Sequence, residues 1–236
     1  MKITYILFDA GGTLIFPDFE FLALLLEKEG VKVSPNDLFQ AFAYADFCFD
    51  ERLRKSENTS DTNIFLKDML SRFFEREEQK MDKIVQKILE EDRKHGLWRH
   101  TFDWVKDALK ELSKKYGISV ISNSDGRVEE LLTEASLRSY FEKIYDSQIV
   151  GIEKPDKGIY ELALKELDLS AENVVFVGDI FHVDILGANR AGIPAVHLDP
   201  FGFYKKWPGA RISTVAQLKG FLESGEGNFF PFGRQP

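Results

Sequence analysis

Cysteine is almost absent from this 236-residue chain: Cys48 stands alone, so no intrachain disulfide can form. Basic charge is in deficit as well. The 31 Lys and Arg face 39 Asp and Glu, giving a net charge of −8, which argues against a broad nucleic-acid surface. An anionic small molecule stays open as a partner, because a metal ion and one lysine can reverse the sign locally. No apolar run approaches the length of a membrane span, so no membrane partner is expected. The apolar run at the N-terminus, Ile3 to Phe8, reaches Asp9 too soon for a signal peptide, and a cytoplasmic protein is expected. There is no P-loop and no internal repeat, and Gly11-Gly12 lacks the spacing of a dinucleotide-binding loop.

Apolar residues, by contrast, make up 44% of the chain, enough for a proper core. Ile3-Thr4-Tyr5-Ile6-Leu7-Phe8 is rich in β-branched and aromatic residues and nearly all apolar, and it predicts a strand buried on both faces, as in a parallel sheet. Ile118 to Ser122, Val174 to Val177 and Ala195 to Leu198 repeat the signature. Amphipathic stretches precede two of these strands. Phe102, Val105, Leu109 and Leu112 share one helical face closed by Tyr116-Gly117, and Ile159, Leu162, Ala163 and Leu167 share another. This alternation predicts an α/β fold with a parallel sheet, built from residues 1–16 and 101–224.

Residues 17–100 interrupt the alternation, with several helical patterns and no convincing strand. Phe39, Phe42, Ala43 and Phe49 share a face. Phe65, Met69 and Phe73 form a second stripe, and Ile84, Val85, Ile88 and Leu89 a third. An all-helical inserted domain with a phenylalanine-rich core is expected. The run Glu75 to Lys80 reads as a solvated loop or helix end, and the Gly- and Pro-rich tail, 225–236, as a loosely packed terminus.

In a wound parallel sheet the active site lies beyond the carboxyl ends of the strands. Asp9 ends the first strand, Ser122-Asn123 the second and Gly178-Asp179 the third. Asp184 follows Asp179 closely enough to face the same crevice, and Lys154 precedes a helix and can reach in. Clustered carboxylates repel one another unless a cation sits between them, and hard oxygen ligands suit Mg²⁺. A phosphoryl group placed there meets a carboxylate nucleophile, Asp9. Around its oxygens stand Lys154, Ser122, Asn123 and the backbone N–H groups of the turn at Gly12. Such an arrangement performs phosphoryl transfer by positioning and charge neutralisation.

Phe8-Asp9-Ala10-Gly11-Gly12-Thr13-Leu14 resembles the first motif of the haloacid dehalogenase-like hydrolases. Ile121-Ser122-Asn123 resembles their second motif, Lys154-Pro155-Asp156 their third, and Val177-Gly178-Asp179 through Asp184 their fourth. The resemblance implies a Rossmann-like core with a mobile helical cap hinged near 16–18 and 97–101. It implies Asp9 as the nucleophile of an aspartyl-phosphate intermediate. Mg²⁺ would be held by Asp9, the Gly11 carbonyl and Asp179, with Asp184 direct or through water, and Ser122 and Lys154 would bind phosphoryl oxygens. The substrate class implied is a small phosphorylated metabolite.

One position departs from the pattern. Phosphatases of this kind generally place a second aspartate, the general acid and base, where this chain has Gly11. A 2-haloacid dehalogenase would lack it too, but would not need the Asp179–Asp184 pair and would want a cap arginine well before Arg52. A low-turnover binding or regulatory protein that retains the fold is the further alternative. His182 reads as a loop-surface residue, and His100 as a packing or capping residue near the domain junction.

Overall fold

The structure, a computed structural model, describes residues 2–57, 62–74 and 77–224. The tail and Glu75-Arg76 of the charged run lie outside the described residues. In chain order the principal elements begin with β1 (Tyr5–Phe8), β2 (Phe16–Pro17), α1 (Phe19–Lys28), α2 (Pro35–Arg54), α3 (Thr62–Leu70), α4 (Glu78–His95) and β3 (Trp98–His100). There follow α5 (Asp103–Leu112), β4 (Gly117–Ser122), α6 (Val128–Glu134), β5 (Ile144–Asp146), α7 (Ser147–Val150) and α8 (Lys157–Glu166). The last are β6 (Val174–Gly178), α9 (Leu186–Arg190), β7 (Ala195–Leu198), β8 (Ala210–Ile212) and α10 (Leu218–Glu223).

The chain divides into two units, one ending at Ile15 and resuming at Thr101, the other Phe16–His100. The first is the expected α/β unit. Its six strands run parallel in the order β5-β4-β1-β6-β7-β8. Both faces of β1, β6 and β7 are buried, which is why their sequences read as unbroken apolar runs. Phe8 lies opposite Val120 on one side and Val177 on the other, so the carboxyl ends of β1, β4 and β6 come out at one edge of the sheet. The helix before β4 ends at Leu112 rather than at Tyr116-Gly117, and Gly117 instead opens the strand. Its closeness to the Tyr5 ring, 2.2 Å from where a Cβ would sit, explains the glycine.

The helical unit is built on capped helices. Asp18 accepts the Phe21 N–H at the start of α1, and Ser34 and Asp37 form a capping box ahead of Pro35 in α2. Its core is aromatic, as the stripes predict: Phe42 sits 5.9 Å from Phe19, 5.5 Å from Phe65 and 5.7 Å from Trp98, ring to ring. Two details differ from expectation. The helix carrying Phe65 and Met69 stops at Leu70, so Phe73 falls on a 3₁₀ turn and Phe74 is buried instead. The unit is also not wholly helical. Phe16–Pro17 pairs antiparallel with Trp98–His100, which moves Phe16 into this unit, one residue before the expected boundary. Strands this short carry no period of their own.

Candidate active site

Asp9 follows β1 directly, and its N–H donates to the Val177 carbonyl at 2.8 Å, extending the sheet by one bond. The chain then turns tightly: the Ala10 carbonyl accepts from the N–H groups of Leu14 (2.8 Å) and Ile15 (2.9 Å). Gly12 takes a φ of 74°, and a Cβ there would lie 2.2 Å from Asp179 Oδ2, so geometry and space both require glycine. The buried Thr13 hydroxyl donates to Asp179 Oδ1 at 2.8 Å. Gly11, next to it, is not among the glycines with positive φ.

Asp179 follows β6 in the same way. The main chain from Phe181 to Ile185 makes a π-type turn, which returns Asp184 towards the strand end. Asp184 closes the turn itself, its N–H donating to the Ile180 carbonyl (2.7 Å) and its Oδ2 accepting the Ile180 N–H (2.9 Å). A Cβ on Gly178 would lie 2.5 Å from Asp184 Cγ, which fixes that residue as glycine too. The Tyr160 hydroxyl, from α8, bonds to the carbonyls of Val183 (3.1 Å) and Asp184 (3.3 Å). It thereby satisfies acceptors that the irregular turn leaves available.

Lys154 completes the cluster. Its Nζ donates to Asp9 Oδ1 at 2.5 Å and to Asp184 Oδ1 at 2.7 Å, and its side chain is 2% exposed. The Asn123 side chain clasps the lysine's main chain, with Nδ2 donating to the Lys154 carbonyl and Oδ1 accepting its N–H, both at 2.8 Å. Asn123, expected on substrate phosphate, is thus engaged in placing Lys154. Ser122, last in β4, is buried at the same sheet edge.

Asp9, Asp179 and Asp184 are all buried, with a ligating oxygen from each within 4.8 Å of the others. Among these carboxylates the Lys154 ammonium is shared by two, Asp9 and Asp184, in a buried setting. Burial pushes the Asp9 carboxyl up to about 6; Lys154 opposes this and Asp184 adds to it. Burial works to lower Lys154, but Asp184 and Asp9 outweigh it, and the amine is held above its ordinary value. Both directions agree with one ammonium shared between two carboxylates. Three convergent hard oxygen donors fit Mg²⁺. Among the described residues this is the only such cluster of three His, Cys, Asp or Glu side chains.

His182, expected on the loop surface, is half-buried on this turn, its ring 5.7 Å from Phe181 and 5.2 Å from Trp207. Thr13, Tyr160 and His197, whose Nε2 lies 2.7 Å from the Asp179 carbonyl oxygen, escaped the sequence reading. The available signal for His197 was a lone polar residue in an otherwise apolar strand. Among the described residues no helix is long and apolar enough to cross a membrane.

Known proteins resemble the chain in sequence and in fold. The chain is 39% identical over 85 residues to glyceraldehyde 3-phosphate phosphatase of Methanothermobacter thermautotrophicus, covering 36% of this chain and 38% of the relative. It is 33% identical over 97 residues to ribulose-1,5-bisphosphate 5-phosphatase of Halopiger xanaduensis, 40% of this chain and 41% of that one. The matched segments thus span less than half the length of these curated relatives. A magnesium-bound HAD-hydrolase of Bacillus subtilis shares the fold at a TM-score of 0.62 and 19% identity, covering 94% of this chain and 99% of its own. A HAD phosphatase of Thermococcus onnurineus does so at 0.59 and 22% identity, covering 93% and 98%. The family model of the haloacid dehalogenase-like hydrolases matches residues 24–198, and the chain belongs to that family.

Proposed function

We propose that this chain is a Mg²⁺-dependent phosphohydrolase acting on a small phosphorylated metabolite through an aspartyl-phosphate on Asp9. The observation that carries the reading is the buried cluster of three carboxylates, Asp9, Asp179 and Asp184, gathered around Lys154. Relatives named for phosphorylated trioses and pentoses support the substrate class.

In this reading the Asp9 carboxylate attacks phosphorus, a P–O bond forms to Asp9, and the bond to the leaving alcohol breaks. Water then cleaves the acyl phosphate to release inorganic phosphate. Lys154 holds Oδ1 of Asp9, which orients the other oxygen for attack and offsets charge on the phosphoryl group. Ser122 would offer a hydroxyl to the phosphoryl oxygens, whereas the Gly12 N–H, expected there as well, already donates to the Ile15 carbonyl at 2.8 Å. Asp9, the Gly11 carbonyl and Asp179 would hold Mg²⁺, with Asp184 in support; the ion would neutralise charge on the transferring group. The Phe16–His100 unit would be the cap domain of such an enzyme.

Gly11 favours a second reading, a low-turnover protein that keeps the fold, because the usual proton donor is missing. A panel of phosphate esters assayed with Mg²⁺ and with EDTA separates the possibilities. Mg²⁺-dependent phosphate release is expected. Equal activity in EDTA would overturn the metal assignment, and turnover of 2-haloacids instead would move the chain to a dehalogenase.

A further inference from the structure

β7 reads Ala195-Val196-His197-Leu198, and all four residues are buried. An imidazole in such a strand needs a hydrogen-bond partner, since burying a polar group unpaired is costly. His197, 1% exposed, finds it in the main-chain oxygen of Asp179, 2.7 Å from Nε2. A carbonyl only accepts, so Nε2 carries the hydrogen and donates it. The place of this bond is informative. Gly178 opposite His197 is the last paired rung between β6 and β7, and Asp179 stands one residue beyond it. The histidine side chain therefore supplies one more rung where the ladder has ended.

Asp179 is consequently held at two points. Its main-chain carbonyl is held by His197, and its carboxylate by Thr13, whose hydroxyl lies 2.8 Å from Oδ1. The imidazole is itself wedged. The Tyr204 ring meets it edge-on at 4.3 Å and Phe181 lies at 5.7 Å. Tyr204 is fixed in turn by the buried Asp199 carboxylate, which accepts the N–H groups of Phe203 (2.9 Å) and Tyr204 (3.1 Å). A side chain this constrained, bonded to the backbone of a metal-binding residue, orients that residue.

We propose that His197 is a positioning residue that sets the direction of the Asp179 carboxylate for Mg²⁺, a role that rests on the phosphohydrolase reading above. The test compares His197→Leu, which keeps bulk and loses the donor, with His197→Gln, whose Nε2–H reaches a comparable place. Mg²⁺ affinity, measured by calorimetry without substrate, should weaken about 10–100-fold in His197→Leu. His197→Gln should recover most of it. The KM for p-nitrophenyl phosphate at saturating Mg²⁺ should stay near wild type in both. Unchanged Mg²⁺ affinity in folded His197→Leu, or equal loss in both variants, would overturn the proposal, the latter by assigning the effect to ring packing alone. If His197→Leu does not fold, His197→Asn replaces it, because the shorter amide cannot reach the carbonyl. Hydrogen exchange in the metal-free protein separates this proposal from the reading it rests on. If the wild-type chain binds no Mg²⁺, the phosphohydrolase reading fails. Exchange across residues 178–185 should still quicken in the donor-less variant and not in His197→Gln. Equal exchange in all the proteins would sink His197 as the anchor of this turn.

Discussion

The Nζ of Lys154 bridges Asp9 Oδ1 at 2.5 Å and Asp184 Oδ1 at 2.7 Å, joining a carboxylate that follows β1 to one in the turn after β6. Lys154→Met should therefore do more than remove a substrate contact. Buried Asp9 and Asp184 would lose the ammonium that bridges them, and breaking a buried pair costs on the order of 3–5 kcal/mol. The metal-free variant should unfold at a markedly lower temperature at pH 7.5 and recover part of the loss with added Mg²⁺. A melting temperature equal to wild type without metal would show that the lysine is not needed to balance the cluster.

Asp9→Asn should abolish hydrolysis and stabilise the metal-free protein together. The Asp9 carboxyl is raised from 3.8 to about 6 in the folded chain, first by burial. Folding thus takes up a proton between these values, and the contribution to stability is complete below about 4 and lost as pH rises through about 6. Asparagine carries no charge at any pH, so its advantage should be absent at pH 3.5 and full at pH 7.5. Thermal melts of both proteins at these two pH values check the sign. A destabilised Asp9→Asn at pH 7.5 would mean that the bond to Lys154 outweighs burial and the neighbouring carboxylate.

Asp179 and Asp184 should fail differently. Asp184 is spent on protein: Oδ1 on Lys154 and Oδ2 on the Ile180 N–H. Asp184→Ala should lower the melting temperature of the metal-free protein, because it opens the turn and removes one of the two carboxylates that Lys154 bridges. Asp179→Ala should cost less stability and more Mg²⁺ affinity. Calorimetric titration beside metal-free melting separates the two, and the reverse ordering would exchange their roles.

Why some of this was legible in the sequence and some was not follows from the range of the interactions. β1, β4, β6 and β7 announce themselves because strands buried on both faces must be apolar, and the residue after such a run is then conspicuous; Asp9 and Asp179 were found that way. β5 and β8 are three-residue strands at the edges of the sheet, formed by pairing with a neighbour rather than by a pattern of their own. The Asn123 clasp on Lys154 joins residues 31 apart, and the His197 bond to Asp179 joins residues 18 apart through a strand register. No local spacing encodes either. The distinction also explains Asn123, which sits at a strand end as a substrate ligand would but faces the main chain of its neighbour.

Gly11 supports the sharpest chemical prediction. General acid or base assistance typically contributes roughly 10²–10⁴ in rate, and the benefit grows as the leaving group becomes more basic. With glycine where the proton donor would stand, p-nitrophenyl phosphate and acyl phosphates should be cleaved far better than simple alkyl phosphates. Attack of water on the aspartyl-phosphate lacks a base as well, so the phosphoenzyme should accumulate or pass its phosphate to an added alcohol. Gly11→Asp should then raise the alkyl rate and change the nitrophenyl rate less. The backbone permits the substitution: Gly12 holds the left-handed φ of this turn, at 74°, while Gly11 does not adopt a positive φ. Gly11 is also partly exposed, unlike its buried neighbours Ala10 and Gly12. The quantity to measure is the ratio of alkyl to nitrophenyl rates, in a variant shown by melting and calorimetry to fold and to bind Mg²⁺. An unchanged ratio would mean that proton transfer is handled by another residue or does not limit the rate.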